Sequence, residues 1–207
     1  GFTRTVAMEG RKGGITVNAG DIAVGSINAG TASNVSLTSA GTITGHQSEP
    51  VDVVAADLTA TAMGNISLDT QVSSVTASST VAGTIDITET DAITLNSVTT
   101  ANGSVIITAG GDLTARQVTS TTGSNINDIT LTTTAGDILV GTNDSGIVAA
   151  RPGDVSLTSA ASVTSRADNY SVDADVLTVT AGGPVDLSGY VNSASISTSG
   201  PGGNVYF

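Results

Sequence analysis

The side chains able to do acid–base or metal chemistry are few and one-sided. There are 18 Asp and Glu against six Lys and Arg, with one histidine and no cysteine. Without cysteine there is no disulfide, no thiolate ligand and no sulfur nucleophile. Asp21, Asp112, Asp137 and Asp154 each follow a glycine directly before an apolar run. Stacked in register, they would form a carboxylate ladder able to bind Ca²⁺. The G-G-x-G-x-D pattern of calcium-binding β-rolls is absent, and Asp in such a turn ordinarily bonds to nearby backbone. No metal or cofactor is therefore assigned. Other carboxylates gather in two matching insertions: Glu49, Asp52 and Asp57 in one, Asp168, Asp173 and Asp175 in the other. His46 accompanies the first insertion and Arg166 the second. Glycan cleavage needs an acid and a base at a defined separation, and no spacing here singles out such a pair. Nor does a triad or metal site form around His46, which reads as part of a loop. Tyr170 and Tyr190 are the only candidates for an aromatic platform. Glu49, Asp52, Asp57, Asp168, Tyr170 and Asp173 are accordingly read as surface residues for a glycan or protein partner, and the chain as no enzyme.

Composition narrows the classes further. A net charge of −12 leaves no basic face for nucleic acid and disfavours anionic membranes. No run reaches the roughly 18 apolar residues of a membrane span, and no signal-peptide core is present. An export signal, if the protein has one, has been removed or belongs to a longer chain. Aromatic residues make up only 2 % of the sequence, so Val, Ile, Leu and Ala must fill a narrow interior. Ser, Thr, Gly, Asn and Asp dominate the remainder, a composition of strands and turns.

The elements that would position these residues are repeated strands. In Asp128–Gly141 two apolar runs flank the turn Ala135-Gly136-Asp137, with strand-like alternation in the first. Three sets of runs recur. Set a begins at Ile15, Val35, Leu58, Ile85, Val105, Ile129, Val155, Leu177 and Val205, with steps of 20, 23, 27, 20, 24, 26, 22 and 28. Set b begins at Ile22, Ile43, Ile66, Ile93, Leu113, Ile138, Val163 and Val185. Set c begins at Ile27, Val53, Val75, Val98, Val118, Ile147, Val172 and Val191. Three short strands per repeat of about 24 residues predict a three-sided parallel β-solenoid of about nine coils, roughly 40 Å long. A longer repeat overlies this one. NVSLTSAGTIT at Asn34–Thr44 returns as DVSLTSAASVT at Asp154–Thr164, and LTATAMGNISL at Leu58–Leu68 as LTVTAGGPVDL at Leu177–Leu187. Two similar blocks follow, about 15–128 and 129–207. Residues 1–14 are an irregular segment or partial coil in which Val6 and Met8 form a leftover c strand. A pair of acidic immunoglobulin-like domains is the competing fold, but it would not explain the shorter period.

The strings VSLTSAGTIT at Val35–Thr44, VIITAGGDLT at Val105–Thr114 and ITLTTTAGDI at Ile129–Ile138 resemble the shaft repeats of filamentous-haemagglutinin-like and autotransporter-type bacterial surface adhesins. The resemblance implies a right-handed parallel β-helix, export to the cell surface or medium, and an adhesive or structural role without shared catalytic residues. Beside it stand a carbohydrate-binding or carbohydrate-cleaving β-helix and an ice-binding solenoid. Ice binding is suggested by two outward files: Thr16, Ser36, Thr59, Asp86, Ile106, Thr130, Ser156 and Thr178, and Asn18, Thr38, Thr61, Thr88, Thr108, Thr132, Thr158 and Thr180. Exposed strand edges invite further pairing, so Val6, Met8, Val205 and Phe207 mark the ends expected to join copies end to end.

Overall fold

One ladder of residues fixes the architecture. In the computed structural model Ile22, Ile43, Ile66, Ile85, Val105, Ile129, Val155, Leu177 and Ala194 lie one above another, each step a parallel strand pairing. The chain is an all-β solenoid of about nine turns. The structure describes residues 3–8, 13–46, 50–122, 126–141, 148–150, 152–165, 170–200 and 203–207.

The sequence dictates this winding through alternation. In Val35–Ser39 and Ile85–Glu89 every second side chain is buried. Parallel strands sit about 4.8 Å apart, so like side chains stack into files. The first eight members of the ladder are fully buried. A single turn cannot hide its apolar side, so each turn depends on its neighbours. The buried apolar residues are all Val, Ile, Leu or Ala.

The register departs from the a, b and c sets once in each block. Leu58 pairs with Val75, 17 residues on, and Ile85 stacks on Ile66. From there the a set continues the b file, while the b set, through Leu95 over Val75, continues the a file. The cause lies in Ile66–Ser79, one strand of 14 residues that bends around the core with no glycine or proline to mark a corner. The slip recurs in the second block: Leu177 pairs with Ala194, again 17 residues on, and Val205 rests on Val185. The set member Ile147 lies outside the described residues. Along the central ladder the steps are 21, 23, 19, 20, 24, 26, 22 and 17 residues, mostly shorter than the predicted repeat.

Polar corners repeat with the blocks. Ser39 Oγ donates to the carbonyls of Gly20 (2.6 Å) and Thr42 (2.9 Å) and accepts from Gly41 N–H. Ser159, 120 residues later, donates to Gly136 and Ser162 and accepts from Ala161 N–H in the same way. At Gly110 and Gly182 a Cβ would strike the carbonyls of Thr90 and Ala160 in the turn below, so only glycine lets these turns approach.

At the first turn Thr3–Met8 is a strand, with Val6 opposite Val24 and Met8 opposite Ile27. Met8 thus lies on the c set as expected, whereas Val6, expected there too, lies over the b run opened by Ile22 and is buried, because the register shifts between Val6 and Ala7. In the last turn most of Gly189–Thr198 is exposed, as are Val205 and Phe207.

Candidate functional site

The four glycine-linked aspartates divide between two corners. Asp21 opens the strand Asp21–Asn28 and Asp154 stands just before Val155–Ser159 on the central ladder, where Thr42, Asn65, Thr84, Ser104 and Asp128 occupy the intervening turns. Asp112 and Asp137 stand at another corner, one above the other. At both corners the side chain accepts the N–H of the equivalent residue one turn on. Asp21 accepts from Thr42 (2.9 Å), Asn65 from Thr84 (2.9 Å), Ser104 from Asp128 (3.2 Å), Asp128 from Asp154 (2.9 Å) and Asp154 from Val176 (3.1 Å). At the second corner Asp112 accepts from Asp137 (2.9 Å) and Asp137 from Ser162 (2.7 Å). These side chains serve as rungs between turns, a role wider than the backbone bonding within one turn that the sequence suggests. Among the described residues no group of three or more His, Asp or Glu side chains is arranged to hold a metal ion.

The insertions fare differently. Asp52 is 1 % exposed and accepts N–H bonds from His46 and Asp69, both at 2.8 Å. A Cβ on Gly45 would collide with its carboxylate, so glycine there makes the room. Burial raises the Asp52 carboxyl above the usual range, and the Asp69 charge adds to this, while the two N–H donors and the His46 charge oppose it. Asp86, across from Ser67, is exposed, and partial desolvation and the Asp69 charge raise its carboxyl as well. Asp57 is turned outward and accepts from Ser74 (2.7 Å), which accepts in turn from Asn96 (2.9 Å). Glu49, Asp168 and Arg166 lie outside the described residues. In the second insertion Asp173 stands opposite Tyr190 in the register, and Tyr170 and Tyr190 form an edge-to-face pair with centroids 5.9 Å apart.

Glu89 is the chemically unusual residue that spacing arguments miss. It takes the third inward position after Ile85 and Ile87 and is 2 % exposed. Its two oxygens accept from Thr70 Oγ1 (2.8 Å), Val72 N–H (2.9 Å) and Thr90 N–H (3.0 Å). Burial pushes its carboxyl from 4.5 up to about 7 against the Thr70 hydroxyl and the Val72 and Asp91 N–H groups. The signal was present: in Ile85-x-Ile87-x-Glu89 a charge falls where alternation demands an apolar side chain.

The hydroxyl files are also rearranged. Thr16, Ser36, Thr59 and Thr76 share one file, whereas Thr44, Ser67, Asp86, Ile106, Thr130, Ser156 and Thr178 share another. Beside the second runs an unbroken column of five threonines, Thr88, Thr108, Thr132, Thr158 and Thr180. Asn18, Thr38 and Thr61 belong to the other face, where Ser78 follows them. Comparison of the chain with protein-family models, with curated proteins and with solved structures returned no match.

Proposed function

We propose that this chain is a rigid, non-enzymatic shaft segment of an exported bacterial surface protein or extracellular fibre, of the adhesin kind its repeats resemble. The unbroken central ladder carries the reading. Its apolar side chains are spent on the core, and most of the described corner carboxylates are spent as acceptors between turns. Such a body transmits force along its axis and offers long lateral faces for contacts. Edge-to-edge pairing of segments belongs to the same proposal, because the exposed strand Gly189–Thr198 presents backbone groups to a further strand. Immunogold labelling of source cells tests the reading. Label on the outer surface or on extracellular fibres is expected, and label confined to the cytoplasm overturns it.

The five-threonine column favours a second reading, binding to an ordered water lattice at the same face. Thermal hysteresis of the purified protein decides it: a freezing gap lost on Thr132→Lys supports ice binding, and no gap rejects it.

A further inference from the structure

The two blocks provide an internal control. Val53–Ala62 and Val172–Ala181 are matching strands of ten residues, and each is covered by the turn that follows with the same 17-residue step. Val54 faces Gln71 in the first block, and at the same register Asp173 faces Tyr190 in the second. The outward residues of this patch differ throughout. Val51, Val54, Ala56, Gln71 and Ser73 of the first block become Tyr170, Asp173, Asp175, Tyr190 and Asn192 in the second. The fold does not require the second set, because the first block makes the same turn without it. Of the five aromatic residues in the chain, four lie in its last 38 residues, and these two form a pair.

Both tyrosines are well exposed, at 60 % and 57 %, with rings inclined at 62°. One ring therefore offers a face beside the edge of the other. Asn192 Nδ2 donates to Asp175 Oδ1 (2.6 Å) on the same outward side, two residues along from Tyr190 and Asp173. A carboxylate has about four acceptor positions, and an amide both donates and accepts. We propose that Tyr170, Tyr190, Asp175 and Asn192 form a lateral binding platform for a neutral oligosaccharide. The C–H face of a pyranose stacks on an exposed ring, where apolar area is gained at little entropic cost. Its vicinal hydroxyls donate to Asp175 and exchange hydrogen bonds with Asn192. The adjacent Asp173 and the net charge of −12 repel uronic or sulfated sugars. The patch is open, so affinity is roughly millimolar. This proposal is independent of the shaft reading: the platform could fail on a true shaft, and could bind on a protein with another role.

The protein has three tyrosines and no tryptophan, so in a Tyr206→Phe background its intrinsic emission comes from Tyr170 and Tyr190. Titrations with cellotetraose, maltotetraose, mannotetraose and chitotetraose are the test, with tetragalacturonate and a proline-rich decapeptide as competitors for the assignment. At least one neutral tetrasaccharide is expected to shift the emission and the ring-proton resonances. The first-block substitutions Tyr170→Val and Tyr190→Gln are expected to weaken its binding at least about tenfold, read by NMR on the ligand, with the unfolding midpoint unchanged. The proposal is overturned if no neutral tetrasaccharide binds at about 20 mM, if both variants bind as the parent does, or if the acidic sugar or the peptide is preferred.

Discussion

Raising the pH from 5 to 8 removes about 2–3 kcal/mol of stability from this chain, chiefly through Glu89. Its carboxyl is pushed up to about 7 in the folded protein from 4.5. Because the folded value is the higher one, the folded state holds the proton more tightly. The contribution is fully present below pH 4.5 and is lost as pH rises through 7. Between those values each unit costs at most about 1.4 kcal/mol. Asp52 is raised in the same sense, so its contribution also falls as pH rises above 3.8, whereas Asp86 is exposed and solvent screens its share. The expectation reverses the usual behaviour of paired carboxylates, which stabilise a fold as they ionise. Urea unfolding followed by circular dichroism from pH 5 to 8 measures it, in the parent and in Glu89→Gln. The amide cannot titrate, so the variant should lose most of the slope. It should also be less stable at pH 5 by about 1–3 kcal/mol, since its NH₂ group would face Val72 or Thr90 N–H. Parent stability that is flat or rising over this range would refute the reasoning, as would an unchanged slope in the variant.

Other predictions follow from the packing and the inter-turn rungs. Asp137→Ala leaves the Ser162 N–H to water and should cost about 0.5–1.5 kcal/mol, whereas Asp137→Asn keeps an acceptor oxygen and should recover most of it, both by urea midpoint. Leu131→Ala removes a fully buried side chain between Ile107 and Leu157 and should cost about 2–5 kcal/mol in the same assay. Gly182→Ala brings a methyl group into the Ala160 carbonyl and should lower the thermal midpoint well below that of Gly25→Ala, where the added Cβ meets only ordinary contacts at 3.5 and 3.6 Å.

Much of the fold was legible because it rests on alternation. Inward residues such as Ile43, Val105 and Leu157 announce themselves by their period, and glycine-marked turns such as Ala135-Gly136-Asp137 separate the runs. The register was not legible at Leu58 and Leu177. There Ile66–Ser79 and Gly189–Thr198 keep their strand character through a bend, and Ser and Thr mark neither a corner nor a straight strand. The next strong apolar run therefore lies one run beyond the true partner in each block. The outward chemistry suffered in proportion. The threonines of one sequence file fall on two faces, and the Ca²⁺ candidates divide between two corners. Tyr170 and Tyr190 were recognisable as aromatic candidates, but their contact depends on the 17-residue step that the period conceals. Glu89 stands apart from the glycine-marked turns that flag the other carboxylates, and its meaning lies in an inward strand position.

Stacking about one axis is the central claim, and the absence of native cysteine makes it directly measurable. Thr44, Ile106, Thr130 and Thr178 lie on one outward file, with Ile106 three steps, Thr130 four steps and Thr178 six steps from Thr44. Double electron–electron resonance between spin labels on cysteines introduced at Thr44 and at each of the others should give separations near 14, 19 and 29 Å, at about 4.8 Å per step. Labels add a common offset, so the increments decide: about 5 Å from the first pair to the second and about 10 Å from the second to the third. Distances that fail to grow in that ratio would contradict the solenoid.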